Sequence, residues 1–348
     1  MSKSNLSIKE ETKRAMNNLE QEYTQPLGLD VGTSRMVVAR AKDKKQEYDS
    51  QLNAFLTLPY SKLAESLLVR ENVFHEVQGA EIVVAGNDAE KFAEVFHVET
   101  RRPMANGVLN PDEPHSLAVV RRIVTKLLGR AAAEGQKVFF SVPAPGDSVN
   151  GAIRYHEASI RQILTELGYD ATPIEEGLAV VYGELAPSNF SGVGISCGSG
   201  LCNICLAVLS VPVISFSVPK AGDFIDASAA QVTGDRANRL RISKERGFQL
   251  NGFSADRVHN ALTVYYQESI ASLIGSLRAR IASAQKLPKL EQSVPMVLSG
   301  GTAMPKGFLD HFIRILQAEE FPLRLSEVRV SGDPLHSTAR GALMAALC

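Results

Sequence analysis

The chain has 348 residues, 45% hydrophobic and 22% charged, with a formal net charge of -1. That balance suits a globular protein long enough for two cores, with no basic excess for nucleic acid and no acidic block for a solvating tail. No apolar run approaches the roughly 20 residues that span a bilayer, and the opening MSKSNLSIKEETKRAMNN lacks a signal-peptide core, so a cytoplasmic location is expected.

Residues 1–25 are polar, with a weak helical pattern through Leu6, Ile8, Met16 and Leu19. A flexible, solvated extension is expected there, with a partner-docking arm as the functional alternative. From Pro26 the pattern changes: PLGLDVGTSRMVVAR reads as strand, tight glycine turn, strand, with Asp30 at the bend. Residues 43–85 are weakly patterned until the strand-like EIVVAG. After the turn-rich RRPMANGVLNPDEP, apolar spacing predicts a helix from His115 to Ala133. KVFFSVPAPG is a buried strand closed by prolines, and SIRQILTELGY a helix ended by Gly168.

GVGISCGSGLCNICLAVLSVP then repeats the strand–turn–strand outline and opens a second lobe. Residues 223–285 read as mainly helical. PMVLSGGTAMPKGFLDHFIRIL is strand, glycine turn, helix, and STARGALMAAL a short final helix. Interleaved strands and helices give an α/β class. The shared outline of LGLDVGTSRMVVA and VGISCGSGLCNICLA predicts a duplicated fold with a ligand between its halves.

Three of the four cysteines, Cys197, Cys202 and Cys205, fall in one strand-like stretch; the fourth is Cys348. Cys202 and Cys205 have a C-x-x-C spacing, but no second pair or nearby His completes a zinc set. Residues three apart on a strand point to opposite faces, so packing in a reducing compartment is the expectation.

A turn such as Asp-Val-Gly-Thr-Ser lets main-chain N–H groups meet phosphate oxygens, because glycine permits close approach. Thr33 and Ser34 add hydroxyl donors, and Asp30 is suited to hold magnesium through water. Gly198, Ser199 and Gly200 offer a second such turn, and Gly300, Gly301 and Thr302 a third before a helix. One turn alone reads as an ordinary hairpin; three, each after an apolar strand, are far more specific.

In this order the motifs resemble the actin-like ATPase superfamily, and most of all the bacterial actins of the MreB and MamK type, from about Pro26 to Cys348. LGLDVGTSRMVVA is similar to the first phosphate loop, VPAPG to a strand end of the first lobe, and IEEGLAVVYGEL to the segment with the catalytic glutamate. KAGDFID is similar to the entry into the second lobe's small subdomain, LSGGTAMPKGF to the adenosine loop, and DPLHSTARGAL to the returning C-terminal helix. The resemblance implies two duplicated ribonuclease-H-like lobes around a nucleotide cleft. Lobe I would span 26–175 with an insertion at about 43–100, and lobe II 176–332 with a reduced small subdomain at about 223–260. Residues 333–348 would return to lobe I.

The resemblance also implies roles. Asp30 would hold the water shell of Mg2+, with Gly32, Thr33 and Ser34 around the phosphates of ATP or ADP. Gly198, Ser199, Gly200 and Gly222 would sit on the facing side. Glu176 would orient the attacking water; otherwise it is a helix-start carboxylate beside Glu175. Gly300, Gly301 and Thr302 would line the adenosine pocket. Lys244 would contact the nucleoside, or else be a solvated helix charge.

The chain departs from the pattern in the second loop. Ser196 stands where bacterial actins carry a second magnesium-associated aspartate, and Leu201 and Cys202 replace hydroxyl residues. Losing a group aimed at transition-state charge commonly costs ~10²–10³ in rate. Only ERGFQLNGF separates Lys244 from the next helical stretch, which trims the expected small sheet to helices, and Arg241 falls near a nucleoside-contacting glutamate position. The expected function is a cytoskeletal, ATP- or ADP-binding protein that assembles into filaments or a scaffold, with weak or absent hydrolysis. The alternative is a non-polymerising adaptor at a membrane or envelope complex, with residues 1–25 docking a partner. A small-molecule kinase lacks the domain insertions it would need.

Overall fold

The protein was analysed as a computed structural model that describes residues 25–43, 45–146, 150–284 and 292–348. The N-terminal extension lies outside them except for Gln25. In chain order, the chain forms β1 (Leu27–Val31), β2 (Arg35–Lys42), β3 (Lys45–Leu52), β4 (Phe55–Pro59), α1 (Lys62–Arg70), β5 (His75–Gln78), β6 (Glu81–Ala85) and α2 (Asn87–Phe96). It continues with β7 (Met104–Ala105), β8 (Val108–Leu109), α3 (Ser116–Leu128), β9 (Gln136–Val142), α4 (Asn150–Glu166), β10 (Tyr169–Glu175) and α5 (Glu176–Glu184). There follow β11 (Gly192–Cys197), β12 (Cys202–Val208), β13 (Val211–Val218), α6 (Gly222–Thr233), α7 (Ala237–Gly247) and α8 (Arg257–Ser283). The chain closes with β14 (Val294–Ser299), α9 (Phe308–Gln317), β15 (Leu325–Val330) and α10 (Ser337–Leu347).

Two five-stranded sheets share one plan, β10-β9-β1-β2-β3 and β13-β12-β11-β14-β15. In each, the first three strands in sequence form an antiparallel meander and the last two add in parallel beside the first strand. The fold is thus α/β and actin-like, with a duplicated unit. The period-2 alternation of a strand explains how each sheet buries both faces. Met36 and Val38 join the core under α3 and α4, while Val37 and Ala39 pack on Ala339 and Leu343 of α10. Likewise Cys202 and Ile204 join the core under α8, and Cys205 packs with Val180 and Val181 of α5. Cys202 and Cys205 therefore lie on opposite faces.

Two details differ from the sequence reading. The helix begun at Ser116 stops at Leu128, short of Ala133, because Gly129 takes φ +68 and turns the chain. Residues 45–52 pair with β2 in the large sheet, so the separate small sheet, β4-β6-β5, starts at Phe55. That small sheet has its own core, with Leu56, Ile82 and Val84 against Leu68 and Phe92 of α1 and α2. Lobe II holds only α6 and α7 at the corresponding place, with no strand among the described residues there.

Helix α10 returns to lobe I through backbone contact. A Cβ at Gly341 would lie 1.6 Å from the Ala179 carbonyl oxygen, and one at Gly28 2.2 Å from that of Ala339. The buried Glu184 carboxylate ties α5 to β15 and α10. It accepts from Ser331 and Ser337, both at 2.8 Å, and pairs with Arg329 and Arg340. Burial opposes its charge, but these partners hold its carboxyl below the usual range.

Candidate functional site

The hairpin turns of the two large sheets and the turn after β14 meet in one cleft of about 540 Å³. Asp30, Gly32, Thr33, Ser34, Glu176, Gly198, Ser199, Gly200, Gly222, Lys244, Gly300, Gly301 and Thr302 all line it. The turns are packed to backbone distance. A Cβ at Gly200 would lie 2.6 Å from both Thr33 Oγ1 and the Gly107 nitrogen, and one at Gly300, at φ +89, 2.2 Å from the Cys197 carbonyl oxygen.

Carbonyls of the second turn are drawn into the protein. Gly198 O accepts from Thr302 Oγ1 at 2.7 Å and from Gly222 N at 3.2 Å, and Ser199 O from Asp223 N at 2.7 Å. The Thr302 hydroxyl is thus committed to holding the turn. By contrast, the amides of Thr33, Ser34, Ser199 and Gly200 donate to no backbone acceptor among the described residues. Ser199 Oγ is buried without a partner. Backbone donors left over in a cleft are what an anion needs.

Two carboxylates face the turns. Asp30 accepts from Ser141 Oγ at 2.8 Å, and the same hydroxyl oxygen accepts from Val31 N at 2.8 Å. Burial pushes Asp30 up to about 6, partly offset by Ser141 and His336. Glu176, the first residue of α5, accepts from Ser196 Oγ at 2.9 Å. Burial and then the nearby Asp30 charge push it up to about 8, against the lowering effect of Ser196 and Asn203. Ser196 therefore serves as a donor to Glu176 where an aspartate would have added a third negative charge.

The Lys244 side chain is only 9% exposed, and its ammonium lies 2.7 Å from Asp226 Oδ1. This excludes the solvated-charge reading. Burial raises Asp226, with Lys244 offsetting part of the rise. Leu201 lines the cleft and reaches toward Gly107, whereas Cys202 packs in the core beneath. Of the departures noted in that loop, Ser196 and Leu201 border the cleft. Sequence reading missed Gly107, Asp226 and Glu245 as lining residues, although ANGVLN signalled a turn and KAGDFID was singled out without a role for its last aspartate.

Two like lobes with three glycine turns meeting between them give an actin-like fold. The sequence matches the Volactin family over residues 26–346, and the chain belongs to that family. No curated protein matches the chain. Among solved structures it is similar to a MamK double helical filament, at 19% identity and TM-score 0.70, covering 93% of this chain and 98% of that one. It is also similar to MreB 5 of Spiroplasma citri bound to AMPPNP, at 12% identity and TM-score 0.66, covering 91% and 94%. The ethanolamine utilization protein EutJ from Carboxydothermus hydrogenoformans aligns at 17% identity and TM-score 0.53, covering 91% and 89%. No helix among the described residues is long and apolar enough to cross a membrane.

Proposed function

We propose that this protein binds ATP or ADP in the interlobe cleft and assembles head to tail into cytoplasmic filaments, hydrolysing the nucleotide slowly. The observation that carries the reading is the convergence of two hairpin turns with spare amide donors on one cleft. Gly32, Thr33 and Ser34 would cradle phosphate from lobe I, and Gly198, Ser199 and Gly200 from lobe II. Gly300 and Gly301 leave room for the nucleoside, with Gly222, Lys244 and the Thr302-braced turn beside it. The cleft volume falls within the range that holds a cofactor.

Magnesium fits the same place, because burial raises two facing carboxylates, and the Asp30 charge raises Glu176 further, which positive charge would relieve. Bound with the nucleotide, the ion supplies positive charge to the phosphate oxygens. Asp30 would hold its water shell. Glu176 would accept a proton from the attacking water, which requires its ionised form. Its high value opposes that role, the Ser196 hydroxyl on Oε2 offsetting only part of the rise, and this is the physical reason for slow turnover. Ser196→Asp with Leu201→Thr is expected to raise phosphate release about 10²-fold at saturating Mg-ATP, where the ion's charge would offset the added carboxylate and lower Glu176. An unchanged rate would put the limiting defect elsewhere.

The likeness to the MamK double helical filament supports the assembly reading, since a heterologous contact that does not close propagates as a filament. High-speed pelleting with electron microscopy, with and without Mg-ATP, tests it. Nucleotide-dependent filaments are expected. A species that stays monomeric and hydrolyses nothing would favour the second reading, an adaptor recruited through residues 1–25. That reading draws on Ser196 and on the helix-only insertion of lobe II.

A further inference from the structure

The mouth of the cleft is crossed by a seam of charge. One side is α2 with the residues just after it; the other is α6 and α7 of lobe II. Arg241 pairs with Glu90 across this seam, and Arg102 pairs with Asp223 at 2.5 Å. Arg236–Glu99 and Arg246–Glu94 extend it outward, but their arginines are 79% and 75% exposed. Exposed pairs of that kind contribute little.

Arg241 differs from the rest in two respects. Its side chain is 7% exposed, and it lines the cleft as well as reaching across the mouth. Its Nη1 donates to both Glu245 oxygens at 3.1 Å, while Nη2 reaches Glu90 and the Asn238 side chain. A planar fork presents donors in fixed directions to two carboxylates at once, a geometry that a lysine's compact ammonium does not fix. Glu245 also lines the cleft, so the same guanidinium cancels a negative charge that would repel a phosphate.

We propose that Arg241 is a positioning residue for the cleft's ligand: by joining Glu245 to Glu90 it holds the mouth shut and slows release of a bound nucleotide. The proposal rests on the nucleotide reading above. Glu90 contributes only the far end of the clasp, because it does not line the cleft.

The test is stopped-flow release of a fluorescent ATP analogue from the full chain. Glu90→Gln and Arg241→Gln are expected to speed release about tenfold, as removal of a buried charge partner acts mainly on dissociation. Arg241→Lys should fall between them and the parent. Glu99→Gln, which breaks an exposed pair, should match the parent. Release unchanged in Glu90→Gln overturns the proposal, and so does equal acceleration by Glu99→Gln, which would make the seam a diffuse field. A second arm needs no ligand. Spin labels at Val95→Cys and Arg239→Cys, in a Cys348→Ser background, report the width of the mouth. A single short distance that broadens on Arg241→Gln is expected; a distribution already broad, or unmoved by the substitution, overturns the clasp. If the parent binds no analogue while this arm succeeds, the nucleotide reading fails and the clasp stands.

Discussion

Gly341→Ala is expected to destabilise the protein by about 3 kcal/mol or more, measured as a fall in the urea midpoint with an unchanged slope. The added Cβ would sit 1.6 Å from the Ala179 carbonyl oxygen, inside any tolerable contact, and the obstacle is backbone with no rotamer to change. The helices must separate, and with them go Leu343 and Ala342, both fully buried. Gly275 provides the control. It lies within the long helix Arg257–Ser283, and a Cβ there meets nothing within 4 Å. Gly275→Ala should therefore stabilise by about 0.5–1 kcal/mol through helix propensity. If Gly341→Ala unfolds at the parent's midpoint, the tight crossing of α5 and α10 is wrong.

The second large effect is on the pH dependence of stability without nucleotide or divalent ions. Glu176 stands at about 8 in the folded protein against an ordinary 4.5. Between these values the folded chain holds a proton that the unfolded chain has released. Stability is therefore fully present below the unfolded value and is lost as pH rises through the folded one. Asp30 acts in the same direction up to about 6. His156 acts oppositely: its ring is buried without partners and pushed down to about 4, so it weakens the fold as pH falls below 6.5. The window from pH 6.5 to 8 isolates Glu176, and there stability should fall by about 2 kcal/mol. Glu176→Gln should flatten that slope, and adding Mg-ATP should shrink it. Stability that is level or rising across this window in the parent would remove the basis for a protonated Glu176.

The lobes were legible because their signals are local. LGLDVGTSRMVVA and VGISCGSGLCNICLA each carry a strand, a glycine turn and a strand within a few residues, and both hairpins line the cleft. The same locality hid β3 of the first large sheet and β5 of the small one. KQEYDSQL and HEVQ form strands without a buried face, so they offered no alternation to read. Pairings between distant residues left no trace either. Lys244 looks like an ordinary helix charge until Asp226 is brought to 2.7 Å. Thr302 reads as a ligand hydroxyl, and only the folded arrangement gives it to Gly198 O. Glu90, 151 residues from Arg241, lies on α2, and nothing in the sequence around it marks a partner.

The chain passes between the lobes twice, once along α5 after β10 and again when α10 comes back from β15. The two passages run against each other with Gly341 on Ala179 and Glu184 riveted to Arg329 and Arg340. Two adjoining passages packed to backbone distance restrain the lobes most strongly beside this crossing. Any turning of one lobe against the other would displace the far rim, where α2 meets α7, more than the strand ends beside the crossing. A rim contact thus acts at the end of a long lever.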